Sequence, residues 1–140
     1  MTENWNIAGY LKKLEAGALN DALTVIGDFG VSQAGRNFDT IGYTVPRKYR
    51  TGHMKQNLSY ATSKTKSTPG YGEPIDNPNN DTVRIGGNVA YLMRYELGFT
   101  GEDSLGRYYD QKARPFLQPV LNHKKEILWI VQQALDTQNR

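Results

Sequence analysis

The sequence predicts an α+β fold: a small antiparallel sheet packed against a long N-terminal helix and a C-terminal helix, with long inter-strand loops. Three observations predict it. Apolar residues at Ile7, Leu11, Leu14, Ala18, Ala22, Val25 and Phe29 recur in steps of three and four, which keeps them on one face of a helix. A second stripe, Leu117, Val120, Leu121, Ile127, Leu128, Val131 and Leu135, closes the chain in the same way. Between the two lie short alternating segments punctuated by glycine, proline and asparagine, as strands and their turns require. The order helix, strands, helix, strand, helix places helices and strands in separate blocks, the mark of α+β rather than of a parallel sheet. At 140 residues the length suits a single domain spanning 1–140, able to bury roughly two thirds of its unfolded surface without disulfides or a structural metal.

The first helix is expected over about 4–35, with Thr2 or Asn4 as its cap, roughly 30 residues or about 45 Å long. Gly9, Gly17, Gly27 and Gly30 each weaken a helix interior by about 1 kcal/mol relative to alanine. Either packing against the rest of the protein or a neighbouring subunit supplies the difference, or the helix bends or breaks near Gly27 to Gly30; packing is the favoured reading, with that point as the place for a break. Sheet and loops follow over about 40–112. Thr51-Gly52 opens a helical turn through Gln56, and Leu58, Tyr60 and Thr62 alternate with Ser59, Ala61 and Ser63 as a strand would. Thr68 to Asn80 carries Pro69, Pro74 and Pro78 without periodicity, a loop at the tip of a wide hairpin. Thr82 to Gly86 reads as the return strand, Val89 to Leu97 as a helix ended by Gly98, and Phe99 to Gln111 as a second extended loop ending in a short strand around Tyr108 to Lys112. The C-terminal helix is expected over about 115–136. Pro115 suits a first helical turn, whereas Pro119 would delete a helical bond, so Phe116 to Gln118 should form an irregular turn before the helix proper.

Composition argues against catalysis. The chain has no cysteine, which removes thiolate metal sites and thiol nucleophiles. His53 and His123 are its two histidines; the first belongs with the polar residues of a turn and the second, beside Lys124-Lys125, with the wet face of the last helix. Neither Gly70 to Gly72 nor Gly98 to Gly106 ends in the lysine or helix start of a phosphate cradle. Glu102-Asp103, or Glu96 with Asp103, read as solvated acids of a glycine loop. No serine stands in the Gly-x-Ser-x-Gly elbow of a hydrolase. No enzyme activity, metal or cofactor is expected. The longest apolar run, Ile127 to Val131, has five residues against about 20 for a membrane span. The first residues lack a signal-peptide pattern, so the product is expected to stay in the cytoplasm where it is made.

Charge is unevenly distributed. The net +3 is the remainder of nine bases and five acids in residues 1–70, and eight bases and nine acids in residues 71–140. From Thr40 to Gly72 there is no acidic residue, while Arg47, Lys48, Arg50, Lys55, Lys64 and Lys66 add six positive charges among Tyr43, Tyr49, Tyr60 and Tyr71. Such a stretch fits three readings. It can grip phosphates and stack on bases, guard an exposed strand edge, or meet the acids of the second half, Glu73, Asp76, Asp81, Glu96, Glu102, Asp103 and Asp110, in a neighbouring copy. Tyr91 and Tyr95, four apart on one helical face, belong to core or interface.

Three blocks in order resemble a family of small proteins from long-tailed bacteriophages, the tail-completion or head–tail joining (neck) proteins. Thr51-Gly52-His53-Met54-Lys55-Gln56-Asn57-Leu58 is similar to the family's Thr-Gly-x-Leu-(Lys/Arg)-x-Ser. Val83-Arg84-Ile85-Gly86-Gly87-Asn88-Val89-Ala90-Tyr91, leading into Tyr95-Glu96-Leu97-Gly98, resembles its strand, Ala-Tyr, Glu and Phe-Gly or Leu-Gly. Ala113-Arg114-Pro115-Phe116-Leu117-Gln118-Pro119-Val120-Leu121 is very close to its Arg-Pro-Phe-Leu-x-Pro-Ala-Leu. Met54 and Asn57 stand where leucine and serine are commoner, and the loop from Lys64 to Asn80 is longer than usual. The resemblance covers roughly residues 51 to 135. It implies a non-enzymatic virion protein, assembled in the host cytoplasm, that forms a hexameric or twelvefold ring at the neck. Its partners would be further copies of itself, the head-closure or connector proteins, the tail-terminator or tail-tube proteins, and passing double-stranded DNA gripped without base specificity by Arg47, Lys48, Arg50, Lys55, Lys64 and Lys66. A tail terminator or head-closure ring of the same particle is the nearest alternative, and a basic nucleic-acid-binding protein the alternative of another class. In the ring reading Arg114-Pro115-Phe116-Leu117 anchors the C-terminal helix to the sheet, with Phe116 and Leu117 buried and Arg114 paired with a carboxylate, Glu96. The loops Thr68 to Asn80 and Phe99 to Gln111 are the parts expected to reach adjoining rings.

Overall fold

A computed structural model describes residues 7–41, 53–79, 81–88, 92–102 and 104–139. Along the chain come α1 (Ile7–Leu11), α2 (Ala16–Ile41), α3 (His53–Asn57), β1 (Ser59–Thr62), β2 (Val83–Gly86), α4 (Leu92–Leu97), β3 (Phe99–Glu102), β4 (Tyr108–Gln111), a 3-10 helix (Gln118–Asn122) and α5 (Lys124–Gln138). The fold is α+β. Its strands form two separate antiparallel pairs, β1 with β2 and β3 with β4. Ser59 lies opposite Gly86 and Thr62 opposite Val83 in the first; Phe99 lies opposite Gln111 and Glu102 opposite Tyr108 in the second. The expected second loop is therefore a β-hairpin, whose turn uses Gly106 at φ 79°, a left-handed conformation that glycine takes at no steric cost.

The N-terminal helix does not break at Gly27 to Gly30. It breaks at 12–15, between α1 and α2, and then runs on to Ile41. The break is held from the far end of the chain: Gln138 Oε1 accepts from the Glu15 N–H at 2.7 Å, and its Nε2 donates to the Lys13 carbonyl at 3.0 Å. One amide thus satisfies a donor and an acceptor that a helix interruption leaves open, and Leu14 is tucked into the core. Gly27 and Gly30 serve close approach instead. A Cβ at Gly27 would stand 2.5 Å from the Tyr60 ring, and one at Gly30 would collide with the Ile85 side chain, so the two glycines let α2 lie directly on β1 and β2.

Apolar packing falls into two clusters strung along α2. Ala34 and Phe38 meet Met54, Leu58, Leu92, Phe116 and Val120 toward its C-terminal end, with the Phe38 and Phe116 rings edge to face at 5.3 Å. Ala22 and Ile26 meet Leu14 and Val131 toward its N-terminal end, where α1 and α5 pack. Strand β1 is buried at every position rather than on alternate ones, because α2 covers one side and the chain folds back over the rest. Ser67 accepts from the Tyr60 N–H through its hydroxyl at 2.9 Å, and Ala61 bridges Lys66. Burial raises the Tyr60 phenol above the ordinary 10.0, and the Asp28 charge adds to the shift.

The long loop after β1 is pinned rather than free. The Gly70 and Tyr71 N–H groups donate to the Gln56 carbonyl at 2.8 and 3.2 Å, Asn77 Nδ2 donates to the Thr62 carbonyl at 2.6 Å, and Pro69 and Pro78 are buried. At the C-terminus the irregular turn at Phe116 is present, but the α-helix starts at Lys124 rather than near 115. Pro119 falls in the first turn of the 3-10 helix, where its missing N–H costs nothing.

Candidate functional site

Glu96, half-buried in α4, faces the Arg114-Pro115-Phe116-Leu117 segment. The N–H groups of Phe116 and Leu117 donate to its Oε2 at 2.8 and 2.9 Å, and that of Gln118 donates to Oε1 at 2.7 Å. These are the open donors at the start of the 3-10 helix, which has no side-chain cap of its own; a carboxylate from another element supplies it, in short charge-assisted bonds. From the opposite side Asn37 Nδ2 on α2 donates to the Phe116 carbonyl at 3.0 Å, while its Oδ1 accepts from Gln33 Nε2 at 3.0 Å. The pairing expected between Arg114 and Glu96 is replaced by this arrangement. No ion pair joins them among the described residues, and both carboxylate oxygens are taken by backbone. Phe116 is buried as expected; Leu117 is half-buried, Arg114 half-buried and Pro115 exposed.

A second polar knot was not visible in the sequence. Asn57, fully buried at the end of α3, donates through Nδ2 to the Tyr71 carbonyl at 2.9 Å and to Asn88 Oδ1 at 3.2 Å, and its Oδ1 accepts from the Asn88 N–H at 2.7 Å. A Cβ on Gly72 or Gly87 would strike this amide. Nothing in the run Gln56-Asn57-Leu58 distinguishes a buried asparagine from an exposed one, since its partners lie in two distant loops.

Of the basic residues singled out, Arg47, Lys48 and Arg50 lie outside the described residues, as do Tyr43, Tyr49 and Tyr91. Lys55 is committed to Asp39 on α2 at 2.6 Å. Lys64 and Lys66 are exposed around the turn after β1. Tyr60 is buried and unavailable for stacking on a base, and Tyr71 stacks on His53 with ring centroids 3.7 Å apart. His123 is half-buried at the start of α5, edge-on to Phe29 at 5.7 Å, not on a wet face. Among the described residues no group of three or more metal-ligating side chains occurs, and no helix is long and apolar enough to cross a membrane.

Two further surfaces stand out. The β3–β4 hairpin leaves the body between Glu96 and Phe116, so the carboxylate clamp closes its base. The Arg94 guanidinium sits over the Phe99 ring, 3.9 Å from its centroid, and 5.7 Å from that of Tyr109, which helps fix the root of the hairpin. Its far end carries Leu105 and Tyr108, 75% and 67% exposed. Elsewhere, α2 and α5 leave between them a groove with a hollow of about 680 Å³ at one end, around Val25, Phe29, Arg36, Lys125, Trp129 and Ile130. Trp129 is 61% and Val25 51% exposed. Comparison with protein-family models, curated proteins and solved structures finds no match for this chain.

Proposed function

We infer that the chain is a structural component of a bacteriophage neck, a ring that joins the head-closure complex to the tail and surrounds the DNA channel. The observation that carries this reading is the mutual dependence of the three sequence blocks. Met54 and Leu58 from the first and Phe116 and Val120 from the third share one core with Leu92, which stands between the two halves of the second. Asn57 of the first block binds Asn88 of the second, and Glu96 of the second caps Phe116 to Gln118 of the third. Blocks that recur together in one order are expected to support one another physically, and here each holds the next. The exposed apolar hairpin and the exposed apolar groove suit a protein that completes its burial in an assembly. Of the six basic residues singled out in the sequence, Lys64 and Lys66 are the two that are described, exposed and in no ion pair among the described residues, and a loose, base-independent grip on phosphates would let DNA pass.

Electron microscopy of a lysate made without this gene tests the reading. The expected result is filled heads and free tails that do not join, restored when the gene is supplied in trans. Normal infectious virions would overturn it. Steep, salt-dependent binding of the isolated monomer to free DNA would favour instead a nucleic-acid-binding protein.

A further inference from the structure

The hinge between α1 and α2 contains nothing that stops a helix. Lys12, Lys13, Leu14 and Glu15 are helix formers with neither glycine nor proline among them, and Gly17 beyond them is already helical in α2. Tyr10, Leu14, Ala18 and Ala22 stand four apart, with Leu11 three before Leu14, so the apolar stripe runs through the hinge as it would along one unbroken helix. The Lys13 and Leu14 N–H groups donate to the Tyr10 and Leu11 carbonyls at 3.1 Å, which tightens the end of α1. Gln138 then holds the interruption through the Glu15 N–H and the Lys13 carbonyl. With 12–15 helical, the N–H groups of Glu15 to Ala18 would instead meet the carbonyls of Leu11 to Leu14, and Gln138 would be released.

Straightening would carry α1 off its own subunit. Helix α5 runs antiparallel to α2, since His123 before its start lies against Phe29 and Gln138 at its end binds Glu15. A continued α2 therefore takes residues 7–11 roughly 6–12 Å past the end of α5. In the structure α1 is turned back against α5 instead. Tyr10 lies beside Gln132, Leu135 and Asp136, and Tyr10 and Leu11 pack on the cluster that holds Val131. An extended arm would bare Tyr10 and Leu11 together with the face of α5 they leave. Those two surfaces fit each other by construction, because they are already partners within one chain. We propose that α1 is an exchangeable arm: with 12–15 helical, α1 of one copy packs Tyr10 and Leu11 on α5 of the next. The occupant of that face is then a second copy of this chain, held by contacts the single chain makes for itself, which is why exchange of an element across a short hinge is a low-cost route to assembly. Each copy gives one arm and receives one, so the contact is heterologous and repetition closes a ring or extends a filament. This contact rests on the ring reading above and names the element that links its copies.

The experiment is native mass spectrometry of the full chain and of two variants that bias the hinge in opposite directions, with circular dichroism confirming the fold of each. Ala16 is the exposed first residue of α2, and the Glu15 carbonyl before it already accepts from the Leu19 N–H at 2.7 Å. Proline suits that position but breaks a helix that runs through it, so Ala16→Pro locks the arm at home. Gln138→Ala removes the two bonds that hold the interruption. The wild type is expected to assemble beyond a dimer, Ala16→Pro to need at least about tenfold more protein to do so, and Gln138→Ala to need severalfold less. A photo-crosslinking benzoylphenylalanine in place of Tyr10 reads the exchange directly, even where Ala16→Pro fails to fold. Irradiating the assembled sample is expected to join the arm to α5 of another copy and give a ladder on a denaturing gel. Cross-links to α5 that stay within single chains of an assembled sample would overturn the exchange. So would assembly of Ala16→Pro at wild-type concentrations, or a wild type that stays monomeric or stops at dimers. In each case the neck reading is judged separately, by the particles formed without the gene.

Discussion

Gly27 and Gly30 set two effects of similar size against each other. Alanine in a helix interior is favoured over glycine by about 1 kcal/mol, but at these positions the added methyl meets the base of the Tyr60 ring or the Ile85 side chain. At Gly27 the obstacle is the root of the Tyr60 ring, which cannot swing aside, and overpacking of this kind costs about 1–3 kcal/mol; at Gly30 the nearest atom is the terminal Cδ1 of Ile85, which a side-chain rotation can move. Gly27→Ala is therefore expected to lower stability in chemical denaturation, and Gly30→Ala to cost less than Gly27→Ala. Gly17→Ala, with open space around its Cβ, should raise it by up to about 1 kcal/mol. Equal stabilisation at all three would contradict the close approach of α2 to the sheet. Tyr60 supplies a second residue-scale prediction. Its raised phenol pKa means that the folded state holds the proton more tightly than the unfolded state. The associated stability is complete below the ordinary 10.0 and is lost as pH rises through the raised value. Unfolding curves across that range should show the wild type losing stability relative to Tyr60→Phe, and parallel curves would contradict the burial of the phenol.

At the scale of elements, the Glu96 clamp determines where the hairpin leaves and where the 3-10 helix begins. Glu96→Gln keeps the shape but turns one acceptor oxygen into a donor facing backbone N–H groups, at a cost of about 2 kcal/mol. Faster amide hydrogen exchange at Phe116, Leu117 and Gln118 is expected with it; unchanged protection would show that the carboxylate does not hold them. The elements themselves were largely legible in the sequence. The turn before Leu58, the pairing of 59–62 with 83–86, the helix ended by Gly98 and the irregular Phe116 turn all follow from periodicity and from glycine and proline chemistry. What was illegible depends on distant partners. Lys12 to Glu15 are sound helix formers, and their interruption is stabilised by Gln138 from the other terminus. The strand around Tyr108 was expected, but Phe99 to Glu102 reads as loop because Gly101 hides its alternation. Glu96 was legible as the partner of the Arg-Pro-Phe-Leu segment, but not as a cap for its backbone, since three N–H donors leave no trace in side-chain identity.

For the whole molecule, two clusters joined along α2 leave a groove on one side and a pinned hairpin projecting elsewhere, a division of surface that suits a unit of a larger assembly. The charge asymmetry of the sequence is partly offset within the chain by a surface ion pair, Lys55 with Asp39; Lys64 and Lys66 are exposed and lie outside any ion pair among the described residues. Cryo-electron microscopy of the neck in virions that carry this gene tests the central claim most directly. The account predicts a closed ring of this chain between the head-closure layer and the tail, encircling the DNA path, with α2 and α5 recognisable in each subunit. Finding the neck complete without this chain, or the chain in another part of the particle, would contradict it.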